Sequence, residues 1–236
     1  MADITIALDG GAVPGYLARP ASESPADAWP GIVVIHELFG LNDDIRGKAD
    51  QLAEHGYLAL APDLYRGKSW VRCVVSAISQ VRSGSGPAFL ALDAARATLA
   101  SRADCTGKVG VIGFCLGGGF ALLCAPRPGF SAAAVNYGDV PRDAQGALGG
   151  ACPVIGSFGR RDAMGVKPPA RLEEALTALE IPHEVKVYPD SGHRFMSQAS
   201  GAGATLAKVT RMEYNADDAD DAWRRIHAFF GEYLSG

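Results

Sequence analysis

Lys108-Val109-Gly110-Val111-Ile112-Gly113-Phe114-Cys115-Leu116-Gly117-Gly118 decides how this chain is read. The apolar run Lys108 to Ile112 leads at once into Gly113-Phe114-Cys115-Leu116-Gly117, and a helix-like stretch, Gly118 to Ala125, follows. Strand, sharp turn and helix form the setting in which a nucleophile is mounted on a strained backbone, and Cys115 stands where a serine is usual. A turn that tight cannot accept a Cβ two residues before or after the nucleophile, and Gly113 and Gly117 meet that demand. The plainer reading is a buried apolar cysteine beside glycines that let a helix pack closely. The rest of the chain has to separate the two.

With 236 residues, 48% apolar and 20% charged, the chain can build one sizeable core, and no break in composition marks a linker. One domain over residues 1–236 is expected. A formal net charge of -4 and the lack of a Lys/Arg cluster argue against a nucleic-acid partner. Residues 1–10 lack a basic start and a long apolar run, and no stretch approaches the length of a bilayer span. A cytoplasmic protein without a membrane partner is the expectation. The five cysteines, Cys73, Cys105, Cys115, Cys124 and Cys152, have no C-x-x-C spacing, so they read as reduced thiols, four of them structural.

Strand-like and helix-like segments alternate along the whole chain, the pattern of a mostly parallel sheet with helices on both faces, a three-layer α/β/α architecture. Ile4 to Leu8 and Tyr16 to Arg19 suggest an N-terminal hairpin, and Gly31 to His36 a strand buried on both faces. Asn42 can cap a helix over 43–55 that Gly56 ends. Strands follow at 57–61, 108–112, 132–137, 154–158 and 184–188, with helices at 88–103 and 169–180. Between Asp63 and Pro87 the signals conflict, with a short helix over 70–81 inside an excursion that suits a lid. A last helix, roughly Ala219 to Leu234, puts Trp223, Ile226, Phe229, Phe230 and Tyr233 at core spacing.

A thiol needs a base, and the base needs an orienting carboxylate. Asp162 comes just past the strand 154–158 and His193 just past the strand 184–188, both at carboxyl ends of parallel strands, where open α/β sheets gather catalytic groups. Nucleophile, acid, histidine is the α/β-hydrolase order. Taken singly, Asp162 could be a turn former and His193 a solvated loop residue. Among the other histidines, His55 beside Gly56 and His227 on the polar side of the last helix read as structural, and His183 as an exposed residue at a strand start. His36 lies near the site, but its neighbour Glu37 is the more telling residue. A carboxylate at that strand end has no folding role in view, unless it is only a solvated turn residue before Leu38-Phe39-Gly40.

Four blocks, Val34-Ile35-His36-Glu37-Leu38-Phe39-Gly40-Leu41-Asn42, Ala61-Pro62-Asp63-Leu64-Tyr65, Gly113-Phe114-Cys115-Leu116-Gly117-Gly118 and Gly192-His193-Arg194-Phe195, resemble the signatures of dienelactone hydrolases, in the same order and over nearly the whole chain. The resemblance implies a catalytic triad of Cys115, Asp162 and His193, with the backbone N–H groups of Leu38 and Leu116 as the oxyanion hole. It also implies that Glu37 contacts the thiol at rest and is displaced when substrate binds, a gate that would shelter the thiolate from oxidation. The expected reaction is hydrolysis of a lactone or an enol or aryl ester through a thioester, with no metal, nucleotide or organic cofactor implied. The expected state is a monomer or homodimer meeting a small-molecule substrate.

The chain departs from the family pattern at one point. Relatives that hydrolyse dienelactone hold the substrate carboxylate with arginines, one of them four residues after the triad histidine, and that position here is Ser197. Arg72, Arg82 and Arg194 are the candidates to take over the contact. The reaction class therefore carries over and the substrate does not. Two other classes stay open: a non-catalytic small-ligand binding or sensing protein on the same scaffold, and a redox protein using Cys115 as a sensor thiol.

Overall fold

The computed structural model describes residues 2–21, 28–65, 70–162, 169–198 and 214–235. Among the described residues eight strands form one sheet: β1 (Ala2–Leu8), β2 (Gly11–Ala18), β3 (Trp29–Ile35), β4 (Leu58–Pro62), β5 (Cys105–Phe114), β6 (Ala132–Asn136), β7 (Val154–Gly159) and β8 (His183–Tyr188). Their order across the sheet is β1-β2-β4-β3-β5-β6-β7-β8. The β1/β2 hairpin joins β4 antiparallel, and every later neighbour pairs parallel. This is the α/β-hydrolase architecture, with an antiparallel edge on an otherwise parallel sheet.

The central strands alternate between two cores because successive side chains leave opposite faces. Val33, Ile35, Val109, Val111, Ala133 and Val135 meet the helices α2 (Trp70–Ser83), α3 (Pro87–Ala100), α4 (Leu116–Cys124) and α6 (Pro169–Ala178). A four-residue helix, α5 (Ala144–Ala147), joins that side. Ile32, Val34, Ala132 and Ala134 meet α1 (Asp43–Glu54) and α7 (Ala216–Leu234) on the other. Trp223, Ile226, Phe229 and Phe230 of α7 are buried there as expected. Each such side chain contributes roughly 1.5–3 kcal/mol of burial.

The helix ends follow from their residues. Asn42 Oδ1 accepts the Ile45 N–H at 3.1 Å, Asp43 and Asp44 occupy the first turn of α1, and Gly56 follows its end with φ 87°. Asn215 caps α7 in the same way. The conflicting stretch after Asp63 resolves into α2, two residues longer than expected, while residues 66–69 lie outside the described residues.

One expectation needs correcting. His227 does not sit on a solvated face: its ring stacks on His55 at 3.7 Å between centroids and packs near Trp223 and Tyr57. Position 227 is four residues after Trp223 and three before Phe230, so helical spacing turns it inward. Burial, with the neighbouring His55 charge, pushes its pKa down to about 4.

Candidate active site

Strands β5, β7 and β8 each deliver one chemical group to the carboxyl edge of the sheet. Cys115 follows β5 directly and caps α4 with φ 54° and ψ -117°, a conformation rare for a residue with a side chain. The strain is held in place by the backbone around it. Cys115 N–H donates to Asn136 O at 3.0 Å, and its own carbonyl accepts the N–H groups of Gly118 and Gly119 at 2.9 and 3.3 Å. A Cβ on Gly113 would lie 2.0 Å from Gly117 O, and one on Gly117 would lie 2.4 Å from Ile35 O. The demand for glycine at both positions is therefore steric.

His193 arrives through a second close approach. A Cβ on Gly159 would meet Gly192 O at 2.4 Å, and Arg161 N–H donates to Ser191 O at 2.9 Å, so the loop after β8 lies tight against the end of β7. That contact places His193 Nδ1 2.6 Å from Asp162 Oδ2 and His193 Nε2 3.0 Å from Cys115 Sγ. His193 and the Asp162 carboxylate are both buried. Burial works against the imidazolium, but hydrogen bonds and charge from Asp162 and Cys115 outweigh it and push the His193 pKa up to about 10. A ring charged at neutral pH and touching sulfur is suited to a thiolate–imidazolium pair. The structure thus brings together the three side chains expected from three distant stretches.

Glu37 is no solvated turn residue, being only 2% exposed. Its carboxylate accepts from Arg194 Nε at 2.6 Å, from Ser197 Oγ at 2.6 Å and from Tyr137 OH at 3.2 Å. The carboxylate is turned to Arg194, while the thiol faces His193. Burial, followed by the Glu37 charge, holds the Tyr137 phenol far above its usual range, so it remains a donor. Ser197 Oγ also accepts from Lys48 Nζ at 3.2 Å, and Lys48 pairs with Asp44. Two acids and two bases are thus joined through one serine hydroxyl.

Sequence reasoning did not single out Lys48, Tyr137 or Asp44 for this network. Lys48 left a signal: it lies three residues after Ile45 and four before Leu52, on the buried face of α1. Tyr137 has φ 42° and sets its ring edge-on to His193 at 5.3 Å. Arg194, with φ 64°, is committed to Glu37 and lies over the half-exposed Phe39 ring. Arg72 lines a cavity of about 560 Å³ with Leu64, Tyr65 and Cys73. Arg82 is not part of the cluster around Cys115. It lines a separate cavity with Leu123, Pro126 and Asp139, alongside α4.

Leu116 opens α4, where first-turn N–H groups lack intrahelical acceptors. The Leu38 carbonyl accepts from Tyr65 OH at 3.0 Å. Of the other cysteines, Cys124 and Cys152 have thiols pushed up by burial, the latter to about 12, as suits structural residues. Among the described residues no helix is long and apolar enough to cross a membrane.

Comparison with known proteins adds an independent line. The model of the dienelactone hydrolase family matches residues 13–234. A Methylorubrum extorquens protein provisionally described as a carboxymethylenebutenolidase is 30% identical, with 98% of this chain and 80% of that protein aligned. The carboxymethylenebutenolidase of Rhodococcus opacus is 28% identical, over 98% of this chain and 92% of its own. A solved structure from Klebsiella pneumoniae, provisionally described as a dienelactone hydrolase, superposes with a TM-score of 0.80 and 28% identity, covering 98% of each chain.

Proposed function

This chain belongs to the dienelactone hydrolase family and is a hydrolase of ester or lactone bonds; from that premise we propose that it works through Cys115, His193 and Asp162 by way of a thioester. The observation that carries the reading is the continuous chain from Asp162 through His193 to the Cys115 sulfur, at 2.6 and 3.0 Å. A non-catalytic binding protein would have no use for three ordered groups on strained, glycine-enforced loops, and the family does not favour that alternative.

Cys115 yields its proton to His193, and the thiolate attacks the carbonyl carbon. The carbonyl electron pair moves onto oxygen, where the N–H groups of Leu38 and Leu116 receive it. Collapse reforms the carbonyl and breaks the ester C–O bond. The oxygen leaves as an enolate or phenolate, with the His193 proton then passing to it or to solvent, or takes that proton as it departs when it is a poorer leaving group. Asp162 fixes the imidazole and stabilises its charge. His193, now neutral, takes a proton from water, the hydroxide attacks the thioester, and the thiolate departs as the acid is released.

Glu37 completes the scheme as a gate. Its carboxylate is held by Arg194 and Ser197 and not by the thiol expected to meet it at rest, and in our reading this leaves the sulfur to His193. Arg72 shares a cavity wall with Tyr65, whose hydroxyl bonds Leu38 O, and on that ground it is the arginine we assign to a substrate anion. Pre-steady-state mixing with para-nitrophenyl acetate tests the scheme: a burst of one nitrophenolate per chain is expected, and Cys115→Ala should lose both burst and turnover. Steady turnover with no burst, preserved in Cys115→Ala, would remove Cys115 from the mechanism.

A further inference from the structure

We infer that His36 is a positioning residue that aims the Leu38 N–H, one of the two oxyanion donors, by holding the carbonyl of Glu37. The inference rests on the acyl-transfer reading above and adds a residue that the reading does not use.

His36 directly follows β3 with 2% exposure, and its Nδ1 lies 2.7 Å from Glu37 O. Its Nε2 accepts the Leu64 N–H at 3.2 Å. An N–H aimed at Nε2 requires a lone pair there, so the ring proton sits on Nδ1 and is donated to Glu37 O. Burial lowers the His36 pKa and keeps the ring neutral.

The Glu37 carbonyl and the Leu38 N–H belong to one peptide plane. In a trans peptide they point to opposite sides of the chain, and no cis bond occurs among the described residues. Fixing one therefore fixes the other. Gly40 N–H adds a second donor to Glu37 O at 3.2 Å, closing a turn in which Gly40 has φ 78°. The next plane is fixed by Tyr65 OH on Leu38 O at 3.0 Å, and the His36 and Tyr65 rings meet edge-on at 4.7 Å. Two neighbouring side chains thus hold two consecutive carbonyls of the loop. Neither has the sulfur among its hydrogen-bond partners.

Two amide substitutions separate this role from simple support of the fold. Asparagine places its amide nitrogen where Nδ1 stood and can still donate to Glu37 O. Glutamine reaches the position of Nε2 and can still accept from Leu64. The readouts are kcat and KM on para-nitrophenyl acetate, and the rate of Cys115 alkylation by iodoacetamide, a reaction that builds no oxyanion.

For His36→Gln, kcat should fall about 10- to 100-fold, less than the loss of a whole donor, with KM and alkylation held within about twofold. His36→Asn should regain most of that loss. Equal activity of the two variants, the reverse order, or alkylation falling in step with kcat would overturn the inference. If neither His36 variant folds, nitrogen NMR of His36 in the isotope-labelled native protein carries the test, with a proton on Nδ1 and a bare Nε2 expected at neutral pH. A proton on Nε2, or a charged ring, would overturn the inference. Failure of the underlying acyl-transfer reading looks different, because Cys115→Ala would then keep its turnover.

Discussion

Replacing Glu37 by glutamine should cost far more stability than its position in a loop suggests. The carboxylate is 2% exposed and lies 2.6 Å from the Arg194 guanidinium, itself 12% exposed, so water screens neither charge well. Opposite charges about 4 Å apart attract by about 4 kcal/mol at an effective dielectric near 20. Removing one partner also leaves the other buried without a counter-charge, and together these give an expected loss of about 3–5 kcal/mol. For a chain of this size that is a fall of roughly 6–20 °C in Tm. Arg194→Met should destabilise comparably, because it leaves Glu37 with only Ser197 and Tyr137. The double variant should lose clearly less than the sum of the singles, with a coupling of about 2 kcal/mol or more in urea titrations. Single losses under about 1 kcal/mol, or strict additivity, would mean that the pair is an exposed contact and would refute the reasoning.

Three further outcomes are expected. With the His193 pKa raised to about 10, the imidazolium persists through neutral pH, so single-turnover acylation by an alkyl ester should hold from about pH 7 and decline as pH rises through about 10. Asp162→Asn removes one of the contacts that raise that pKa, so the high-pH limb of the same profile should shift downward. Gly113→Ala would put a Cβ 2.0 Å from Gly117 O, and since a shift near 1 Å at a reacting group can cost about 100-fold, ester turnover should fall by at least that much.

The sheet and the candidate triad were legible because each has a local signature. Strand-ending apolar runs, paired glycines around Cys115, and an Asp and a His just past later strands all report themselves within a few residues. The network behind Glu37 was not legible in that way. Glu37, Asp44, Lys48, Tyr137, Arg194 and Ser197 come from four separate stretches, and only folding reveals that their charges balance. Lys48 could have been found from its place between Ile45 and Leu52 on the apolar face of α1. His227 was misplaced for the same reason, since its spacing to Trp223 and Phe230 outweighs its polarity. The departure at Ser197 gains its meaning only in three dimensions. Where the family resemblance leads one to expect an arginine, this chain places a hydroxyl that ties Lys48 to Glu37.

The most direct measurement is the mass of the protein after acid quenching within the burst with para-nitrophenyl acetate. The expected result is one acetyl group, on the peptide that carries Cys115, released by hydroxylamine and absent from Cys115→Ala. An acetyl group on any other residue during productive turnover, or full turnover without an adduct in Cys115→Ala, would contradict the thioester mechanism.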